Sequence, residues 1–136
     1  MVHKNDEWQP RVDDASPVPL YEQMIEEVAC AVRAGLLDPG DSLPSVRDLA
    51  ARLRVNPNTS ARALRDMERL GLSRSIRGVG SVVADGARRA ARKVTERALA
   101  REVGGAVRLA RRLGLDVAEL TEIVEREWNQ EARDGD

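Results

Sequence analysis

The stretch "LPSVRDLAARLRVNPNTSARALRDMERLGL", residues 43–72, holds two amphipathic segments that cannot form one helix. Pro57 lacks the N–H that a helix interior needs, and its ring pushes the residue before it toward extended backbone. The chain must therefore break and restart at Asn56-Pro57. Both residues suit a start, since Asn accepts from free N–H groups as an N-cap and Pro is preferred at the first helical position. Upstream, Ser45 opens a short helix, and Asp48 three residues later resembles a capping box. Val46, Leu49, Ala50 and Leu53 share one face, and the helix ends near Arg54. Downstream, Ser60, Ala63, Leu64, Met67 and Leu70 lie inward, and Gly71 suits a helix stop. Asn58, Arg62, Arg65 and Arg69 recur at helical spacing on the opposite face. Helix, short joint, helix is the spacing of a helix-turn-helix.

The flanks extend that unit. Leu20, Met24, Val28 and Val32 recur every four residues, with Ile25 beside them, and predict a first helix that stops at Gly35. "DPGDSLP" is a dense turn signal. After the joint, "LGLSRSIRGVGSVVADG" reads as a hairpin of residues 72–76 and 81–84, with Arg77, Gly78, Val79 and Gly80 at its tip. Three helices and a hairpin make a winged helix. From Ala87 the pattern is helical again, with Val94, Leu99, Val103, Ala110 and Leu113 stepping by threes and fours. Gly104-Gly105 marks a kink or a close helix approach. Asp116 with Glu119 caps a last helix whose Val117, Leu120, Val124 and Trp128 share a face. The expected fold is mainly α: a loose tail over residues 1–16, a winged helix-turn-helix over 17–86, and a two-helix segment over 87–136.

Charge is uneven along the 136 residues. Residues 1–43 hold three basic and nine acidic side chains, residues 44–80 eight arginines and three acids, and residues 81–136 eleven of each sign. The middle is basic within a chain of net charge −1. On charge alone this fits either a solvated arginine-rich surface or a nucleic-acid surface. Catalysis finds little support. Cys30 is the single cysteine and His3 the single histidine, so neither a zinc site nor a Cys–His or Ser–His nucleophile pair is readily built. "RGVG" lacks the Lys-Ser/Thr of a phosphate-binding loop. No cofactor and no metal are expected. No apolar run reaches about 20 residues, the N-terminus lacks the apolar core of a signal peptide, and a lone cysteine suits a reducing cytoplasm.

The motifs "PGDSLPSVRDLA", "VNPNT", "RLGL" and "RGVGSVV" together resemble the winged-helix domain of GntR-type bacterial transcription regulators, over roughly half of the chain. "NPNT" followed by only two helices is similar to the small YtrA-type subfamily. The resemblance implies that Arg47 contacts an operator from the second helix, that Asn58 and Thr59 lie at the start of the recognition helix, and that Arg77 and Gly78 form the wing tip. It places Arg62 where YtrA-like sequences often carry a basic residue. It also implies dimerisation through the C-terminal helices. There are departures: Pro57 stands where many relatives have Arg, Leu64 where a Tyr is frequent, Ser73 where Ile is common, and Ser81 and Val83 where Thr and Phe are usual. These bear on operator sequence, not on DNA binding.

The DNA-facing set is therefore Ser45, Arg47, Asn56, Asn58, Thr59, Arg62, Arg65, Arg77, Gly78 and Gly80. Arg can donate a bidentate pair to guanine, and Asn does the same for adenine. Asn56 is read as a cap before it is read as a base contact. Val94, Leu99, Val103, Leu113, Leu120, Val124 and Trp128 are expected as core or dimer contacts, because one small domain cannot cover those stripes. The expectation is a cytoplasmic repressor that binds a palindromic double-stranded operator as a homodimer, with no membrane partner and no legible small-molecule effector. The alternative is an architectural DNA-binding or interaction module without effector input.

Overall fold

The computed structural model describes residues 8–135. Seven elements follow one another: α1 (Leu20–Arg33), α2 (Val46–Leu53), α3 (Pro57–Leu70), β1 (Ser73–Ile76), β2 (Gly80–Val83), α4 (Ala87–Arg112) and α5 (Val117–Asp134). The chain divides into two compact units, the first ending at Arg97 and the second starting at Ala98.

The first unit is a winged helix. Met24, Val28 and Val32 of α1 meet Leu49 and Leu53 of α2 and Ala63 and Met67 of α3 in one aliphatic core, joined by Leu37, Leu72 and Val83. Leu70, expected inward, is 46% exposed; it lies in the last turn of α3, where Gly71 turns the chain into β1. The strands pair antiparallel in the register Ser73↔Val83 to Ile76↔Gly80. The turn segment after α1 does more than turn. Ser42 bridges to Val82, and the Leu43 N–H donates to the Ser81 carbonyl at 2.9 Å. β2 is thus held on both edges, which fixes the base of the hairpin against the helices.

Two sequence boundaries move. Residues 8–16 were expected within a loose tail, but Trp8 is 5% exposed and belongs to the core. The Asp13 N–H donates to Gln23 Oε1 at 2.7 Å, and Gln23 Nε2 donates back to the Asp13 carbonyl at 3.0 Å. A buried indole outweighs the polarity of its neighbours, and the backbone groups they bring find partners on α1. The rest of the expected tail, residues 1–7, lies outside the described residues. The second boundary falls at 97 instead of 86. Ala87 and Ala91 are fully buried in the winged-helix core, and Val94 packs against it. Arg33 Nη1 donates to Thr95 Oγ1 at 2.8 Å, and Arg88 pairs with Asp38 at 3.3 Å. Val94, expected as a core or dimer contact, is half-buried and packs against the core of the first unit, because α4 starts inside that core.

Cys30 lies on the exposed side of α1 instead of its apolar side. Partial desolvation and the Glu27 and Glu26 carboxylates push its thiol above the ordinary value, against the pull of Arg33.

In the second unit, α4 runs as one helix through Gly104-Gly105 without a break. The Arg108 guanidinium lies over this pair, close to where a Cβ on Gly104 would stand. The expected capping box forms: Asp116 Oδ1 accepts from the Glu119 N–H at 2.9 Å, and Glu119 Oε1 from the Asp116 N–H at 3.2 Å. Ala110 is buried near the turn, yet no residue of α5 is. Leu99, Val103, Leu109, Leu113, Val117, Val124 and Trp128 are exposed, Trp128 by 76%. Leu120 is half-buried.

Candidate nucleic-acid interface

The ten DNA-facing residues named from the sequence all fall in the first unit, on α2, α3 and the hairpin tip. Local chemistry sets the α2–α3 joint. Ser45 Oγ accepts from the Asp48 N–H at 3.1 Å, and Asn56 Oδ1 accepts from the Asn58 N–H at 2.8 Å. Only the Ser45 half of the capping box at α2 forms. Buried Ser60 donates its hydroxyl to the Val46 carbonyl at 2.8 Å, which ties the start of α3 to the start of α2. Between the helices, Arg54 takes the left-handed conformation at φ 56°, the one non-glycine residue with positive φ among those described.

Arg47, Asn58, Arg62 and Arg65 are exposed, while Thr59 is half-buried. Ser45 and Asn56 are exposed too, but each spends a side-chain oxygen on its own helix. The arginines of α3 are not equivalent. Arg62 and Arg69 both pair with Asp66. Arg62 also lies over the Tyr21 ring, its Cζ 3.8 Å from the centroid. The two acids of α3 are thereby occupied: Asp66 with arginines, and Glu68 with the Ser75 N–H and hydroxyl, both at 3.4 Å. The Glu68–Ser75 contacts link the hairpin to α3. At the tip, Gly78 and Gly80 have φ of 81° and 117°, and Arg77 and Val79 are exposed.

Sequence reasoning missed three features. Tyr21 carries no periodic signal that would place it under Arg62. Arg54 was read only as a helix end, although an unfavourable residue at a helix-turn-helix joint is a legible oddity. Arg74 is exposed on β1 beside the tip. With Arg52 and Arg54, it enlarges the basic surface beyond the residues named. Among the described residues no group of acids, Cys and His could hold a metal ion, and no helix is long and apolar enough to cross a membrane. His3 lies outside the described residues.

Exposed arginine side chains on α2 and α3, together with a glycine-shaped basic hairpin tip, can bind a phosphate backbone and present donors to base edges. Comparison with known proteins points the same way. Residues 20–83 match the family described as bacterial regulatory proteins, gntR family. The chain is 38% identical over 78 residues to the HTH-type transcriptional repressor YtrA of Bacillus subtilis, a match spanning 57% of this chain and only 60% of that repressor. It is 35% identical over 107 residues to the uncharacterized HTH-type transcriptional regulator YhcF of the same organism, spanning 79% of this chain and 88% of that one. Its fold is similar to that of a GntR family transcriptional regulator from Listeria monocytogenes, with TM-score 0.70 and 25% identity, over 85% of this chain and 98% of that one. It is also similar to the AraR DNA-binding domain solved in complex with operator ORX1, with TM-score 0.50 and 26% identity, over 54% of this chain and 94% of that one.

Proposed function

The chain belongs to the gntR family of bacterial regulatory proteins, with YtrA-like relatives, and is a DNA-binding transcriptional regulator; from that premise we propose that it is a cytoplasmic repressor that binds a palindromic operator as a homodimer. The observation that carries the reading is the set of exposed arginines and amides on α3, α2 and the tip, within the segment that the family shares. The repressor names of relatives and the operator complex of AraR support it. We assign sequence readout to Arg47, Asn58, Thr59 and Arg62, and backbone contact to Arg65, Arg77 and the tip glycines. Ser45 and Asn56 serve first as caps, and Asn56 keeps its amide nitrogen as a donor. A winged helix over residues 17–97 reads one half-site, and the segment from Ala98 holds two copies together. No cofactor or catalytic step enters this reading, and the effector is left unassigned.

The test is selection of bound duplexes from a random pool with the full-length chain, followed by titration at several salt concentrations. The expected result is an inverted repeat with half-sites about one helical turn apart. Log affinity should fall against log salt with a slope near −0.9 for each of about 6–10 phosphate contacts. A reporter driven from the selected site should be lowered by the protein. An enriched site without two-fold symmetry, or affinity flat in salt, overturns the reading. Sequence-tolerant binding without repression would favour the architectural alternative.

A further inference from the structure

Tyr21 is the only tyrosine in a chain that has two tryptophans and no phenylalanine. It lies in the first turn of α1, outside the two helices of the helix-turn-helix. Its ring nevertheless meets a residue of α3: Arg62 Cζ is 3.8 Å from the ring centroid. That is well inside the roughly 6 Å over which a guanidinium is attracted by the negative face of an aromatic ring. One turn further along α3, Asp66 Oδ2 lies 3.9 Å from Arg62 Nε. Asp66 is itself largely covered, its side chain 18% exposed, and its other oxygen is engaged by Arg69. Arg62 keeps 57% of its side chain open to solvent.

These contacts divide the guanidinium by geometry. The ring takes one flat face, and Asp66 stands at the Nε edge. Since Asp66 comes nearest at Nε, the Nη1–Nη2 edge is the one left for DNA, a parallel donor pair of the kind that grips two acceptors on one base. A free arginine carries about 2 kcal/mol of rotamer entropy, and holding it in the bound geometry beforehand reduces what is lost on binding. We propose that Tyr21 is a positioning residue for sequence readout: it holds Arg62 with that donor edge presented to a base and draws it away from competing phosphate contacts. The inference rests on the assignment of Arg62 as a base contact. Its consequence is a division of labour. Loss of the ring should lower discrimination between sequences more than it lowers affinity for DNA in general.

The experiment uses the full-length chain, the selected operator, operators with one base pair changed, and a random duplex. Arg62→Ala first identifies the position at which discrimination is lost. Tyr21→Phe should retain discrimination there, because the ring face remains and, among the described residues, the hydroxyl donates to Glu22, at 3.2 Å, not to Arg62 or Asp66. Tyr21→Leu should lower it roughly two- to tenfold, the range of a cation–π contact, with a smaller change on random DNA. In an Arg62→Ala background, Tyr21→Leu should have no further effect on discrimination. If Tyr21→Leu melts early, Tyr21→Met replaces it. Discrimination lost in Arg62→Ala but kept in the leucine or methionine variant overturns the positioning role and leaves the assignment of Arg62 standing. Equal loss on operator and random DNA, or an equal effect in the Arg62→Ala background, also overturns it. Full discrimination in Arg62→Ala overturns both.

Discussion

Arg54 and Gly78 both hold positive φ, and they show opposite uses of one backbone region. At Gly78 the conformation is free of side-chain penalty, and nothing lies within 4 Å of where a Cβ would stand. A Cβ there meets no neighbour, so the cost is that of left-handed backbone, about 1–2 kcal/mol and more for a branched side chain. Gly78→Val should therefore deform the tip and weaken operator binding, while the chain stays folded with a melting temperature lower by several degrees. Unchanged operator affinity in the folded variant would remove the tip from the interface. At Arg54 the same conformation is borne by a residue that does not favour it. Arg54→Gly should stabilise the fold by about 0.5–1 kcal/mol, the left-handed penalty less the extra freedom of glycine in the unfolded chain. It should also weaken DNA binding, since a cation beside the N-terminus of α3 is lost. Thermal melts and titrations moving in opposite directions check this; lower stability together with unchanged binding would contradict it.

At the scale of elements, α4 belongs to two units. Its first turns close the winged-helix core through Ala87, Ala91 and Val94, with Arg33–Thr95 and Arg88–Asp38 at the edge. Its later turns carry the exposed apolar stripe. A cut after Gly86 thus removes core, not only the second unit. The buried area lost is worth about 2–4 kcal/mol on side-chain transfer values. A cut after Arg97 keeps those contacts. The shorter chain should be much less stable in urea than the longer, and the longer should fold as a monomer that binds its operator weakly. Equal urea midpoints would show that the start of α4 contributes nothing to the core.

For the whole molecule, the exposed stripe of the second unit asks for a partner, and charge says how two copies would align. From Ala98 to the end of α4 there are four arginines and one acid; α5 carries six acids and two arginines. An α4 of one copy against an α5 of the other is attractive, while α5 against α5 is repulsive. Full-length protein should therefore be a dimer by light scattering, and the dimer should loosen as salt rises. Leu113→Glu, placing a charge in the apolar stripe, should give monomers whose operator affinity falls by about 10²–10⁴, the loss of effective concentration for the second half-site. A monomeric full-length chain, or a dimeric Leu113→Glu with full affinity, contradicts the assignment.

The local features were legible because their causes are local. Asn56-Pro57 places the break between α2 and α3, Gly71 places the end of α3, Asp116 with Glu119 starts α5, and the glycines of "RGVG" set the tip; each depends on a few adjacent residues and their own backbone groups. The face of α3 that bears Asn58, Arg62, Arg65 and Arg69 follows from helical period alone. What the tertiary structure decided depends on residues far apart in sequence. Trp8 is polar-tail sequence until α1 offers it a core. Ala87, Ala91 and Val94 carry the same apolar period as the residues after them, and only the winged-helix core distinguishes buried from exposed. Ser42 pairs with Val82 across 40 positions. The inequality of the α3 arginines arises in the same way. Arg62 and Arg65 look alike along the chain, but only one of them lies over a ring brought from α1, and a contact 41 positions away in sequence leaves no period to read.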